Sequence, residues 1–229
     1  MLVHGAWHGS WSWQRFTTKL EQRGVAVRTV DLPSVGAGPR RSVNLSADAA
    51  AVRAVIDDVS GPVVLCGHSY GGMVISHAAV TQPNVTRLVY ICAFVPEEGE
   101  SLSDIGGGKL APWVRLLDGA LTLPDLDLTA DVFYGDCDPA TQQWATSQLK
   151  AQSISAFGEP VVRPAWKSIR STYVVCTNDM AMSPELQRGV FAPRATETVE
   201  LDSSHSPFVS RPAELAELLI GRVAKSAGK

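Results

Sequence analysis

The 229-residue chain has no run of lysine or arginine longer than the pair Arg40-Arg41, and its formal net charge is −3. A nucleic-acid partner needs a basic face, so that class is excluded and the pair reads as a solvated loop. No stretch approaches the ~20 apolar residues that span a bilayer, so no membrane partner is expected. The chain does not open on a basic segment followed by an apolar one. A signal peptide is therefore not expected, and a cytoplasmic location is. Cysteine is scarce: Cys66, Cys92, Cys137 and Cys176, with no C-x-x-C pair, which argues against a zinc site or any other metal. Cys66, Cys92 and Cys176 lie in apolar or β-branched runs and read as buried free thiols. Asn44-Leu45-Ser46 and Asn84-Val85-Thr86 match the glycosylation sequon, but with no secretion signal they read as chance.

What is present is an ordinary globular mix, 45% hydrophobic and 19% charged, long enough for one large core. Short β-rich runs alternate with helical ones. Leu2-Val3 is a strand stub before His4-Gly5. Residues 11–23 read as a helix stopped by Gly24. Val25 to Leu32 reads as a strand ended by Pro33, and Gly36, Gly38 and Pro39 mark a loop. Ser46 is placed to cap a helix reaching about Val59, ended by Gly61-Pro62. Val63-Val64-Leu65-Cys66 is too apolar to alternate, as expected of a strand covered on both faces. A sharp turn at Gly67 to Gly72 leads into a helix to about Thr81. Further strands are expected at Val85 to Val95, Ser171 to Thr177 and Thr196 to Leu201. A helix should start at Pro184, and a final amphipathic helix should run from Pro212 to about Ala224, with Leu215, Leu218 and Leu219 on one side.

Strands separated by helices imply a parallel sheet with right-handed crossovers. One region breaks the rhythm. From Pro96 to Trp166, some seventy residues separate two core strands, far more than an ordinary connection. Residues 1–95 and 167–229 are therefore read as an α/β core and 96–166 as a cap over the strand C-termini, where open α/β sheets bind ligands.

Gly67-His68-Ser69-Tyr70-Gly71-Gly72 fits G-x-S-x-G between an apolar strand and a helix, the context of a nucleophile elbow. Such a turn strains the serine backbone and lifts its hydroxyl above the sheet. A phosphate-binding loop does not fit, because no Gly-Lys-Ser/Thr follows and the G-x-G-x-x-G spacing is absent.

A serine nucleophile needs a base, and there are five histidines. His4 and His8 precede the first helix, and His68 lies inside the elbow. His77 falls ~12 Å along the following helix from Ser69 at 1.5 Å per residue, out of reach. His205 remains, in a loop just beyond the last strand. The carboxylate that orients it is assigned to Asp179, after the apolar strand Tyr173 to Cys176. Asp136 and Asp138 are rivals placed in the cap, and Asp202 is read as shaping the His205 loop. Capping the next helix is the structural alternative for Asp179. Acyl transfer also needs backbone donors for the oxyanion. These are assigned to Tyr70 N–H, directly after the nucleophile, and to Ala6 N–H in the glycine-bearing loop His4 to Gly9, with Trp7 as the alternative. Trp11 and Trp13 read as core.

Val3-His4-Gly5-Ala6-Trp7-His8-Gly9-Ser10-Trp11, Asp31-Leu32-Pro33, the elbow, Cys176 to Ala181 with Pro184, and Ser204 to Phe208 together resemble one branch of the α/β-hydrolase superfamily. That branch holds plant methylesterases, hydroxynitrile lyases and small bacterial esterases. The resemblance implies an α/β-hydrolase fold: about six mostly parallel strands, helices on both faces and a small, mostly helical cap. It also implies an apolar acyl pocket, no cofactor and a small-molecule ester as substrate, and it leaves room for a homodimer. Hydroxynitrile lyases of this branch carry a threonine after the first histidine and a lysine after the catalytic one. Gly5 and Ser206 stand there in this chain, which favours hydrolysis of small to medium apolar esters, methyl esters or lactones among them. The alternatives are lyase-type use of the site and ligand binding without turnover. Trp7, Trp113, Leu117 and Leu121 are the candidate substrate-contacting side chains, with packing inside the cap as the alternative for each cap residue.

Overall fold

The computed structural model describes residues 1–36 and 43–227. Gly38, Pro39 and the pair Arg40-Arg41 lie outside the described residues. Six strands form one parallel sheet: β1 (Leu2–Val3), β2 (Thr29–Val30), β3 (Val63–His68), β4 (Val85–Ile91), β8 (Ser171–Cys176) and β9 (Glu197–Leu201). Their order is β2-β1-β3-β4-β8-β9. The chain moves outward from β1 to β2 and returns on the other side of β1 to β3. The reversal opens a crevice at the carboxyl ends of β1 and β3, where such sheets bind ligands.

Helices fill the crossovers as the apolar periodicity predicts, with local corrections. Residues 10–23 divide into a 3-10 turn, Ser10–Trp13, and α1 (Gln14–Glu21). The expected strand from Val25 shrinks to Thr29–Val30 because its partner β1 offers only Leu2 and Val3 for pairing. The cap of α2 (Leu45–Asp57) is Asn44, whose side chain accepts from the Ala47 amide; Ser46 instead bonds Glu159. β4 stops at Ile91 because Cys92 turns into the left-handed region at φ +35°. The helix after the elbow is α3 (Gly71–Ala78), continued by a 3-10 turn to Thr81. α2 packs on α3 and α1 on the last helix. Leu65, Val74, Ile75 and Tyr173 are fully buried between these layers, each worth about 1.5–3 kcal/mol if apolar and completely covered.

Between β4 and β8 the chain forms α4 (Leu102–Ile105), β5 (Arg115–Leu117), β6 (Ala120–Thr122), α5 (Leu126–Tyr134), α6 (Pro139–Gln148), β7 (Gln152–Ser153) and α7 (Ser155–Gly158). The helices were anticipated; the three-stranded antiparallel sheet β5-β6-β7 was not. Beyond β8 come α8 (Pro184–Leu186), a wide π-type turn at Gln187–Phe191 and a 3-10 turn at Ala192–Arg194. After β9 the chain forms α9 (Pro207–Ser210) and α10 (Pro212–Ala227). Among the described residues, no helix is long and apolar enough to cross a membrane.

Candidate active site

The apolar run of β3 ends at His68, and Ser69 follows at φ +50°. A serine rarely adopts that conformation, and it costs of order 1–3 kcal/mol. Neighbouring backbone holds it: Ser69 N–H donates to Ile91 O at 3.3 Å, and Ser69 O accepts from the amides of Gly72 and Phe94 at 3.0 and 3.1 Å. The tight turn admits no side chain at its glycines. A Cβ on Gly71 would come within 2.6 Å of Val3 O, and one on Gly72 would overlap Phe94 O.

Asp179 leaves the end of β8 and His205 the end of β9; they are 4% and 2% exposed. His205 Nδ1 lies 2.7 Å from Asp179 Oδ2. The carboxylate accepts, so Nδ1 carries the proton and Nε2 keeps the lone pair that a general base requires. Asp179 Oδ1 accepts the Ala181 and Met182 amides at 2.8 and 2.9 Å, and Oδ2 also accepts from Gln187 Nε2 at 2.9 Å. The rival acids are engaged elsewhere. Asp138 caps α6, accepting from the Thr141 amide and hydroxyl. Asp136 accepts from the Ser204 hydroxyl, and Asp202 from Asn178 Nδ2. His77 sits on α3 near Ser46 Oγ.

His205 is backed by His68, whose Nε2–H donates to the His205 carbonyl at 2.9 Å; the Cys92 thiol reaches the same oxygen at 3.2 Å. Phe133 lies against the imidazole with ring centroids 5.6 Å apart. His68, Cys92 and His205 bring potential metal-ligand atoms within 4.8 Å of one another. The His68 Nε2–H and the Cys92 thiol, however, are both directed at the His205 carbonyl, so these two serve as hydrogen-bond scaffolding for the His205 loop. Burial holds His68 well below the ordinary imidazole range and pushes the Cys92 thiol well up.

The loop after β1 completes the site. Trp7 takes φ +64°, its indole N–H donates to Leu121 O at 3.0 Å, and its amide faces Gln152 Oε1 at 3.4 Å. The amides of Ala6 and Tyr70 have no acceptor among the described residues, so of the two donors weighed for this loop, Ala6 is the one left free. His4 and His8 are buried beneath. Desolvation lowers their pKa values to about 4 and about 3, so both are neutral at pH 7.

Ser69, Tyr70, Ala6, Trp7 and His205 face one cavity of about 450 Å³, within the ordinary range for a small-molecule site. Its far wall includes Trp113, Leu116 and Phe133. Two expected pocket residues stand elsewhere. Leu117 is 62% exposed and does not line the cavity; its neighbour Leu116 does, although it too is 51% exposed. Leu121 is buried inside the β5-β6-β7 sheet and contributes its carbonyl to Trp7. Trp13 is buried against Phe208, and Trp11 packs on Trp144. Gln187, Gln152 and Tyr134 were missed, since nothing local marks a buried glutamine or tyrosine as a partner of a distant loop.

A family model described as the alpha/beta hydrolase family matches residues 1–218. The chain is similar to the alpha/beta hydrolase nvfD of Aspergillus novofumigatus, with 29% identity over all of this chain and 96% of that one. It is similar to methyl jasmonate esterase 1 of Vitis vinifera, with 26% identity over 96% and 94%. Among solved structures it resembles a pyrethroid hydrolase from Sphingobium faniae at TM-score 0.84 and 24% identity, over 100% of this chain and 98% of that one. That last likeness speaks to the fold.

Proposed function

We propose that this chain, which belongs to the α/β-hydrolase family, hydrolyses carboxylic esters through an acyl-enzyme on Ser69. The observation that carries the reading is the 2.7 Å Nδ1–H···Oδ2 bond from His205 to Asp179, with the imidazole facing the same cavity as the strained Ser69. Ser69 Oγ attacks the ester carbonyl while His205 Nε2 takes its proton. The oxyanion lies on the Ala6 and Tyr70 amides. Collapse expels the alcohol, which takes the proton back from His205. Water, deprotonated by the same nitrogen, then attacks the acyl carbon and frees the acid and Ser69. The similarity to methyl jasmonate esterase 1 supports ester chemistry.

The cavity wall, built from Phe94, Trp113, Val114, Leu116 and Phe157, supports a small to medium apolar ester, methyl esters and lactones included. Residues 96–166 act as the cap that excludes water from it. Fluorophosphonate labelling of Ser69, followed by a p-nitrophenyl ester series of increasing acyl length, tests the reading. Stoichiometric labelling and turnover of short to medium chains are expected; absence of labelling would overturn it.

A further inference from the structure

Successive peptide groups of the loop after β1 are each held by a partner. The Gly5 carbonyl accepts His4 Nδ1–H at 2.8 Å, and the Ala6 carbonyl accepts His8 Nδ1–H at 2.7 Å. The Trp7 amide meets Gln152 Oε1, and the Trp7 carbonyl accepts the Lys150 amide at 2.9 Å. A trans peptide points its N–H opposite its carbonyl, so the His4 bond to the Gly5 oxygen sets the direction of the free Ala6 amide. His8 and Gln152 hold the next peptide, Ala6 C=O with Trp7 N–H, and so fix Ala6 from its other side. The loop does not take this shape by its own preference, because Trp7 sits in the left-handed region. Something must hold it, and two of these four holding groups, Gln152 and the Lys150 amide, come from the excursion between β4 and β8.

We propose that Tyr134 and Gln152 are positioning residues of the oxyanion hole, Tyr134 acting through His8; this rests on the ester-hydrolase reading with Ala6 and Tyr70 as donors. A carbonyl only accepts, so His8 carries its proton on Nδ1, and the neutral ring exposes a lone pair at Nε2. The Tyr134 hydroxyl donates to that nitrogen at 2.8 Å and selects this tautomer. The other tautomer would turn a lone pair toward Ala6 O. Gln152 works on the second donor as well as the first. Its Nε2 donates to Ser34 Oγ at 2.6 Å, Ser34 Oγ donates to Asp48 at 2.5 Å, and Asp48 accepts the Tyr70 hydroxyl at 2.7 Å. Gln152, Ser34, Asp48 and Tyr70 are all buried. The excursion thereby reaches the Ala6 loop and, through Ser34 and Asp48, the side chain of Tyr70, whose amide is the second donor; Gln152, Ser34 and Asp48 do not line the cavity.

Tyr134→Phe and Gln152→Met are tested with p-nitrophenyl butyrate and with a trifluoromethyl ketone, whose hemiketal oxyanion occupies the same hole. Each variant should lose about tenfold in kcat, less than deletion of a direct donor costs, with KM within about twofold. The ketone's inhibition constant should rise by the same factor as kcat falls. A raised KM at unchanged kcat, or a fall in kcat without weaker ketone binding, overturns the inference. So does wild-type behaviour in Tyr134→Phe, which removes one hydroxyl and decides the matter if Gln152→Met fails to fold. A wild-type protein that neither turns over esters nor reacts with fluorophosphonate would instead sink the reading beneath it.

Discussion

Gln187 donates to Asp179 Oδ2 at 2.9 Å, the same oxygen that accepts the proton-bearing nitrogen of His205. Gln187 opens the wide turn Gln187–Phe191, and its side chain is buried against the end of β8. There its carbonyl oxygen accepts the Cys176 amide at 3.0 Å and its Nε2 also donates to Met182 O at 2.7 Å. One buried amide thus ties the end of β8 to the acid that follows it.

Gln187→Leu should therefore act on both stability and rate. It strands a buried amide and a carbonyl, at about 1–3 kcal/mol for each unsatisfied group, and it frees Asp179 to rotate. A melting temperature lower by several degrees and a kcat reduced about tenfold are expected. Calorimetry and ester kinetics check it; an unchanged kcat would mean that the Ala181 and Met182 amides alone fix the carboxylate.

The acid assignment separates by substitution. Asp179→Asn keeps the shape but places an NH₂ or a lone acceptor against His205 and favours the wrong tautomer. A fall in kcat of about 10³–10⁴ is expected, as for other triads. Asp138→Ala removes only the cap of α6; it should lower the melting temperature slightly and leave kcat unchanged. Parallel kinetics decide, and a larger kinetic loss at Asp138 would overturn the assignment.

The parallel core was legible because each of its features is local. Val63 to Cys66 is apolar throughout, the elbow glycines are adjacent in the chain, and Gly24 stops α1 at φ +75°. The meeting of Asp179 and His205 was legible because the last two strands end where they stand. The β5-β6-β7 sheet had one local signal in the sequence. Asp118-Gly119, both at positive φ, sits between Leu117 and Ala120 as a two-residue hairpin turn, the strongest short-range sign of a hairpin. Gln152, Tyr134 and Gln187 were illegible for another reason. Their partners lie in loops far along the chain or depend on an irregular turn, and no periodicity encodes either.

Two glycines should respond in opposite senses. A Cβ on Gly72 would overlap the Phe94 carbonyl, which is itself tied down because the Phe94 amide donates to Ser69 O. Gly72→Ala is expected to cost about 3 kcal/mol or more and to abolish fluorophosphonate labelling. Gly61 meets nothing within 4 Å and precedes Pro62, where an extended backbone suits alanine. Gly61→Ala should be neutral or stabilising by up to about 1 kcal/mol. Urea denaturation of both reads the contrast.

Stability should fall with acid well before the carboxylates titrate. Desolvation lowers His4 to about 4 and His8 to about 3, and it depresses His68 further. An unfolded chain protonates these rings near pH 6.5, while the native state keeps them neutral by burial, and His4 and His8 each donate from one nitrogen and accept at the other. Between those values the unfolded state binds more protons, so unfolding becomes easier as pH drops. The stabilisation is complete above about pH 6.5 and is progressively lost on acidification towards pH 4 and then 3. Asp48, raised by burial, works in the opposite sense, but one carboxylate stands against three imidazoles. The net loss by pH 4 should be several kcal/mol, about 3 from each of His4 and His8. Urea midpoints measured from pH 7.5 to 4.5 should decline steadily below 6.5. A flat profile down to pH 5 would mean that the rings accept protons without leaving their places, and the neutral tautomers that hold the Ala6 loop would then be the wrong description of it.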